Sequence, residues 1–221
     1  MTPDQIIAAG VRNWQRRQEQ IARLLPRQAD ARQKHEEMRE RAESMKDKTE
    51  RAETFQRLRT IPNFFPTPGN LAEQMIELAD LRPGLRVLEP SCGKADIAKR
   101  IRAAGCIVEC VELVHELAEI SRGEGLTVRC DDFLTITPSD YGQRFDRVIM
   151  NPPFERGACL RHTLHAYEFL AAGGELVAIV SSTTGQRLED WADHVEPLPA
   201  GSFECSERPT SVNTALIRKT K

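Results

Sequence analysis

Leu85-Arg-Val-Leu-Glu-Pro-Ser-Cys-Gly-Lys-Ala-Asp-Ile-Ala98 carries a short apolar run, a turn containing Gly93 and the start of a helical pattern. A strand, a glycine turn and a helix in that order form the opening unit of a doubly wound sheet, where backbone amides at the carboxyl edge can approach a ligand. The turn is not a phosphate loop, since no Gly-Lys-Ser/Thr follows, and it lacks the three spaced glycines of the dinucleotide fingerprint. On its own it does not specify a ligand, because many turns of this kind carry one glycine.

Further apolar runs follow at Cys106 to Val111, Leu126 to Cys130, Phe145 to Met150, Leu176 to Val180 and Val212 to Ile217. Helical stretches separate them, and this alternation predicts an α/β fold with a mostly parallel sheet covered on both faces. Just upstream, Ile61-Pro-Asn-Phe-Phe-Pro-Thr-Pro-Gly-Asn70 is rich in proline and aromatic residues. It reads as a linker that becomes an ordered loop and leads into a helix through Leu71, Met75, Ile76, Leu78 and Ala79.

Residues 1–60 read differently. From Asp4 to about Arg59 there is no glycine after Gly10 and a single proline, Pro26, among many Glu, Arg, Gln, Lys and Ala residues. Good helix formers without breakers predict a helical arm, interrupted where Pro26 removes an N–H and crowds the preceding turn. Leu24, Ala31, Met38, Met45 and Ala52 recur every seven residues. Their companion positions are mostly polar, so the coiled-coil seam is weak. The expectation is a helical extension over 1–60, lying along the domain or against its own copy in a homodimer, and one catalytic domain over 61–221.

The chain has 221 residues and a net charge of −2. Residues 1–60 hold 14 Lys and Arg against 10 Asp and Glu, and the remainder holds 17 against 23. An acidic catalytic region argues against tight, independent binding to duplex nucleic acid. Six cysteines occur without a CxxC pair, and His162 and His165 stand without a third ligand, so neither structural disulfides nor a metal site is expected. No apolar run reaches the roughly 18 residues that span a bilayer, and Met1 to Gly10 lacks the features of a signal peptide, so a cytoplasmic protein with no membrane partner is expected.

Candidate chemistry gathers at strand ends. Glu112 lies about 20 residues beyond the glycine turn, the place from which a carboxylate can accept hydrogen bonds from both ribose hydroxyls of a nucleoside cofactor. Glu109 is its rival, and alternation along the strand favours the acid at the terminus. The third strand ends in Cys130-Asp131-Asp132-Phe133; Asp132 can accept from an adenine amino group, and Phe133 can lie against the ring. The fourth ends in Asn151-Pro152-Pro153-Phe154. An adenine amino nitrogen is a poor nucleophile because its lone pair is delocalised into the ring. The Asn151 amide oxygen and the Pro152 carbonyl can each accept one amino hydrogen and redirect that pair, while successive prolines stiffen the loop. Phe154 can stack on an extruded base.

From about Phe64 to Lys221 the sequence resembles the γ-class amino methyltransferases, among them the DNA N6-adenine enzymes, whose hallmark is a D/N/S-P-P-Y/F/W tetrapeptide. The resemblance implies a seven-stranded Rossmann-like sheet with an antiparallel last strand, here Val212 to Arg218, and S-adenosyl-L-methionine as cofactor. It implies that Phe65, Pro66 and Thr67 close over the methionine end, that Glu89, Pro90, Ser91 and Gly93 contact the cofactor from the first strand, and that Glu112, Asp132 and Phe133 hold its ribose and adenine. Asn151, Pro152, Pro153 and Phe154 become the catalytic tetrapeptide, and DNA the favoured partner.

Two departures stand out. Lys94 follows Gly93 where many members have a small residue or glycine, and only 67 residues follow Phe154. That leaves no room for a separate target-recognition domain, so target choice falls to the arm, to the loop Glu204 to Ser211, or to a separate specificity protein. Related tetrapeptides also serve guanine N2 in ribosomal RNA and glutamine in proteins, and a non-enzymatic docking module is a further alternative.

Overall fold

The computed structural model describes residues 56, 60–62, 64–204, 206 and 210–221. The arm expected over 1–60 lies almost wholly outside them, as do residues 205 and 207–209 of the Glu204 to Ser211 loop. A compact unit extends from Leu58 to Lys221.

Helix α1 (Gly69–Leu78) follows the proline-rich segment and buries Leu71, Ala72 and Met75. Then come β1 (Arg86–Glu89), α2 (Ala98–Ala103), β2 (Ile107–Glu112), α3 (His115–Gly123), β3 (Thr127–Cys130), β4 (Phe145–Met150), α4 (Ala158–Glu168), β5 (Leu170–Ser181), α5 (Ser182–Arg187), β6 (His194–Pro197) and β7 (Thr214–Thr220). One seven-stranded sheet has the order β3-β2-β1-β4-β5-β7-β6. Pairings from β3 to β5 are parallel, and β7 inserts antiparallel between β5 and β6. Seven strands with an antiparallel insertion near one edge match the Rossmann-like sheet that the resemblance implied.

Alternation along each strand builds two cores. Val87, Ile149, Val177 and Ile179 face one side with Met75 and Ile101. Leu88, Val148, Met150, Ala178 and Val180 face the other with Phe145, Phe169 and Ile217. Neighbouring residues therefore serve opposite layers, as the two-residue period of a strand requires. The order of winding reverses between the parallel neighbours β1 and β4, which opens a crevice beyond their carboxyl ends where doubly wound sheets bind ligands.

Three boundaries differ from expectation. β5 starts at Leu170, ahead of the apolar run that opens at Leu176, and its pairing with β4 shifts register between Phe145 and Arg147. A Cβ on Gly174 would lie 3.0 Å from the Ala171 and Asp146 carbonyl oxygens, so the close strand approach needs glycine. β6, the seventh strand that the resemblance implied, was not located in the sequence, because it is partly exposed and has no apolar run. β7 begins at Thr214, two residues after Val212, which is exposed. No described helix is long and apolar enough to cross a membrane.

Candidate active site

A cavity of about 410 Å³ opens along the carboxyl ends of β1 to β4, within the range of roughly 300–1,000 Å³ typical of small-molecule sites. All ten residues expected to hold a cofactor, from Phe65 to Phe133, contribute to its wall, together with Asn151 and Pro153.

The β1 turn is held from several sides. Cys92 N–H donates to Val111 O (3.1 Å), Ala95 N–H closes the turn on Cys92 O (2.8 Å), and buried Ser121 donates from Oγ to Gly93 O (2.8 Å). Gly93 has φ +54°, and a Cβ there would meet Phe64 at 2.8 Å. Both the left-handed backbone and the close ring demand glycine. Ala95 also sits at positive φ, 71°, a strained conformation for a residue with a side chain.

Glu112 is buried and pins the turn, accepting from Gly93 N–H at 2.8 Å and Val114 N–H at 2.9 Å. Burial raises its pKa, opposed by these backbone donors. Glu109 is ion-paired with Arg86 at 2.6 Å on the strand flank and lies outside the cavity wall. Terminal position thus separates the two acids.

Glu89, 1% exposed, is the most enclosed carboxylate of the site. Its Oε2 is buried without a hydrogen-bond partner. Burial is the chief reason its pKa stands well above the usual 4.5, reinforced by Cys92, Asp96 and Glu112 and opposed by the Ala98 N–H. A buried acid with an unmet oxygen is poised to receive a cation or donor.

Asn151 is held in one orientation. Its Nδ2 donates to Phe65 O (3.2 Å) and to Thr67 Oγ1 (3.0 Å). A backbone carbonyl only accepts, so the amide nitrogen must face it. Consequently Oδ1 is the free end, and it is buried with no partner. Thr67 therefore has a role that its sequence position did not reveal: it orients the amide. Pro66 and Pro68 on either side have no N–H to donate, but nothing in that tripeptide marks its partner as Asn151.

The tetrapeptide divides. Asn151 and Pro153 line the cavity, whereas Pro152 is buried and Phe154 faces other aromatics. The Phe154 ring stacks on Phe65 (6.0 Å, 29°) and meets Phe203 edge-on (6.0 Å, 90°). Phe203, in the loop between β6 and β7, is 1% exposed and was not anticipated; as a lone aromatic in a polar segment it carried no periodic signal. Phe133 touches the cavity yet is 2% exposed, with its ring packed on Phe169 (5.0 Å) and His165 (4.9 Å). Asp132 caps the turn that starts at Phe133 by accepting from Leu134 N–H at 3.0 Å. Cys92 is buried, but Cys130 is only half-buried.

No protein-family model matches the chain, and no curated protein matches it. Solved structures do. An RNA methyltransferase from Salinibacter ruber, crystallised with S-adenosyl-L-homocysteine, is 20% identical, with TM-score 0.51 over 70% of this chain and 92% of its own. TrmN from Thermus thermophilus is 20% identical, with TM-score 0.55 over 69% of this chain. A protein from Vibrio vulnificus assigned as the modification subunit of a type I restriction enzyme is 18% identical, with TM-score 0.50 over 71% of this chain. The chain spans 48% of the Thermus protein and 44% of the Vibrio protein. At these identities the likeness is one of fold: the chain has the fold shared by S-adenosylmethionine-dependent methyltransferases.

Proposed function

We propose that this protein transfers a methyl group from S-adenosyl-L-methionine to an exocyclic amino nitrogen, with N6 of adenine in DNA as its preferred target. The observation that carries this reading is Asn151: both amide hydrogens are spent on the Phe65–Thr67 segment, and its oxygen is left sealed and unpaired. A buried acceptor with no partner costs roughly 1–3 kcal/mol. A substrate NH₂ that donates to Oδ1 recovers that cost, and the same contact draws the nitrogen lone pair out of the ring, which raises nucleophilicity.

The cavity residues suit the cofactor. Glu112 and Asp132 offer acceptors to ribose and adenine, and the unmet Glu89 oxygen offers one to a positively charged amino-acid end. When bound, S-adenosyl-L-methionine supplies a methyl group on a sulfonium, an electrophile the chain's own residues cannot provide. The chain supplies alignment, which can contribute roughly 7–11 kcal/mol to lowering a barrier. Phe154 takes up base stacking by leaving its contacts with Phe65 and Phe203.

The proline-rich segment bonded to Asn151 supports the DNA-adenine reading, as does the fold likeness to a restriction-modification subunit. The likeness to an RNA methyltransferase supports RNA as the second reading. Full-length protein incubated with methyl-labelled cofactor and, separately, single-stranded DNA, duplex DNA, ribosomal RNA and a release factor distinguishes them. Label in DNA recovered as N6-methyladenine is expected. Label in RNA or protein without label in DNA overturns the substrate.

A further inference from the structure

His162 and His165 lie three residues apart on α4, yet they do different work. The His165 Nε2 lies 3.1 Å from Phe133 O and 2.9 Å from Ile136 O. Both are carbonyl acceptors, so Nε2 carries the proton and ties α4 to the turn beyond β3. His162 lines the cavity, and its ring lies 6.0 Å from that of Phe133. Its Nδ1 is buried with no hydrogen-bond partner.

A neutral imidazole has one N–H and one bare nitrogen, and an N–H sealed away unpaired is the costlier of the two to bury. The sealed Nδ1 is then the bare nitrogen, and Nε2 carries the proton. Burial, Arg161 and His165 hold the ring below its ordinary pKa of 6.5 against the opposing pull of Asp132, so it is neutral at pH 7. The Asp132 carboxylate shares this end of the cavity wall. A carboxylate acceptor and an imidazole N–H donor stand together at the end of the cleft away from Asn151. Glu112, the ribose acceptor, lies between the two ends, on β2 in a sheet ordered β3-β2-β1-β4.

We propose that His162 reads the base of the bound cofactor, donating to a ring nitrogen of adenine while Asp132 accepts from its amino group. This rests on the cofactor assigned above. An adenine edge presents a donor beside an acceptor, whereas hypoxanthine presents a carbonyl and an N–H in the reverse order. Each reversed contact leaves a buried polar group unmet, and sites built on such contacts reject the mismatched analogue strongly.

Calorimetry on full-length protein with S-adenosyl-L-homocysteine and with S-inosyl-L-homocysteine tests this, comparing wild type with His162→Leu and His162→Gln. Wild type is expected to prefer the adenosyl ligand by more than tenfold. His162→Leu is expected to weaken that ligand by about tenfold, the worth of one hydrogen bond, and to shrink the preference. His162→Gln, which retains a donor, is expected to recover part of the loss and serves as the reading if the leucine variant does not fold. Wild-type affinity and preference in both variants overturn the role of His162 alone. Failure of wild-type protein to bind S-adenosyl-L-homocysteine at millimolar concentration overturns the cofactor reading and this inference with it.

Discussion

The β5–β7 side of the sheet and the cleft above β1 to β4 are built on opposite terms. Between β5 and β7, seven consecutive residue pairs run from Glu175 and Thr220 to Ser181 and Thr214, and Val177, Ala178, Ile179, Val180 and Ile217 are fully enclosed. In the cleft, Glu89, Asn151 and His162 each have a buried polar atom without a partner, and Ala95 is held at positive φ. Unmet polar groups and strained backbone cost free energy and persist where surrounding structure holds them. Stability is therefore concentrated in the apolar sheet, and the cleft gives up part of it to unmet polar groups.

Substitutions on the two sides should separate accordingly. Ile179→Ala, in the zipped region, is expected to cost about 2–5 kcal/mol of stability, the range for truncating a buried aliphatic side chain; denaturant unfolding of both proteins measures it, and a loss below 1 kcal/mol breaks the contrast. Thr67→Val, in the cleft, removes one of two acceptors that orient Asn151. It is expected to lower methyl transfer about tenfold while the dissociation constant for S-adenosyl-L-homocysteine stays within about threefold, since one such hydrogen bond is worth about 1 kcal/mol. An equal loss in both would make Thr67 a cofactor contact instead.

Glu89 gives the contrast a pH signature. Burial raises its folded pKa above its ordinary value, so the folded state holds this proton more tightly than the unfolded chain. Its stabilising contribution is whole below about pH 4.5 and is lost as pH rises through the raised folded value. Glu89→Gln keeps the shape and removes the titration. Thermal melts from pH 4 to pH 8 are expected to show the variant gaining on wild type as pH rises, with a difference that is smallest at pH 4; a difference independent of pH contradicts the assignment.

How much of this was legible in the sequence follows from the same division. Strand ends carrying Glu112, Asp132 and Asn151 were readable because each closes an apolar run, and the sheet places such ends on one edge. β6 was not, since a half-exposed edge strand such as His194 to Pro197 has no alternation to detect. The partners of polar side chains were also hidden. Nothing in Pro66-Thr-Pro68 announces a hydrogen bond to a residue 84 positions away, and Phe203 meets Phe154 only because β7 doubles back beside β5. Phe154 was read as open for stacking, whereas in this structure it is packed against two rings.

The unpaired amide oxygen of Asn151 is the centre of the account, and Asn151→Ala tests it most directly. Methyl transfer and S-adenosyl-L-homocysteine affinity should be measured side by side in wild type and variant, on the substrate that wild type labels. The account predicts a fall in transfer of about a hundredfold or more, the scale for removing one preorganised polar contact to the reacting group, with cofactor affinity nearly unchanged. Transfer at the wild-type rate would contradict it.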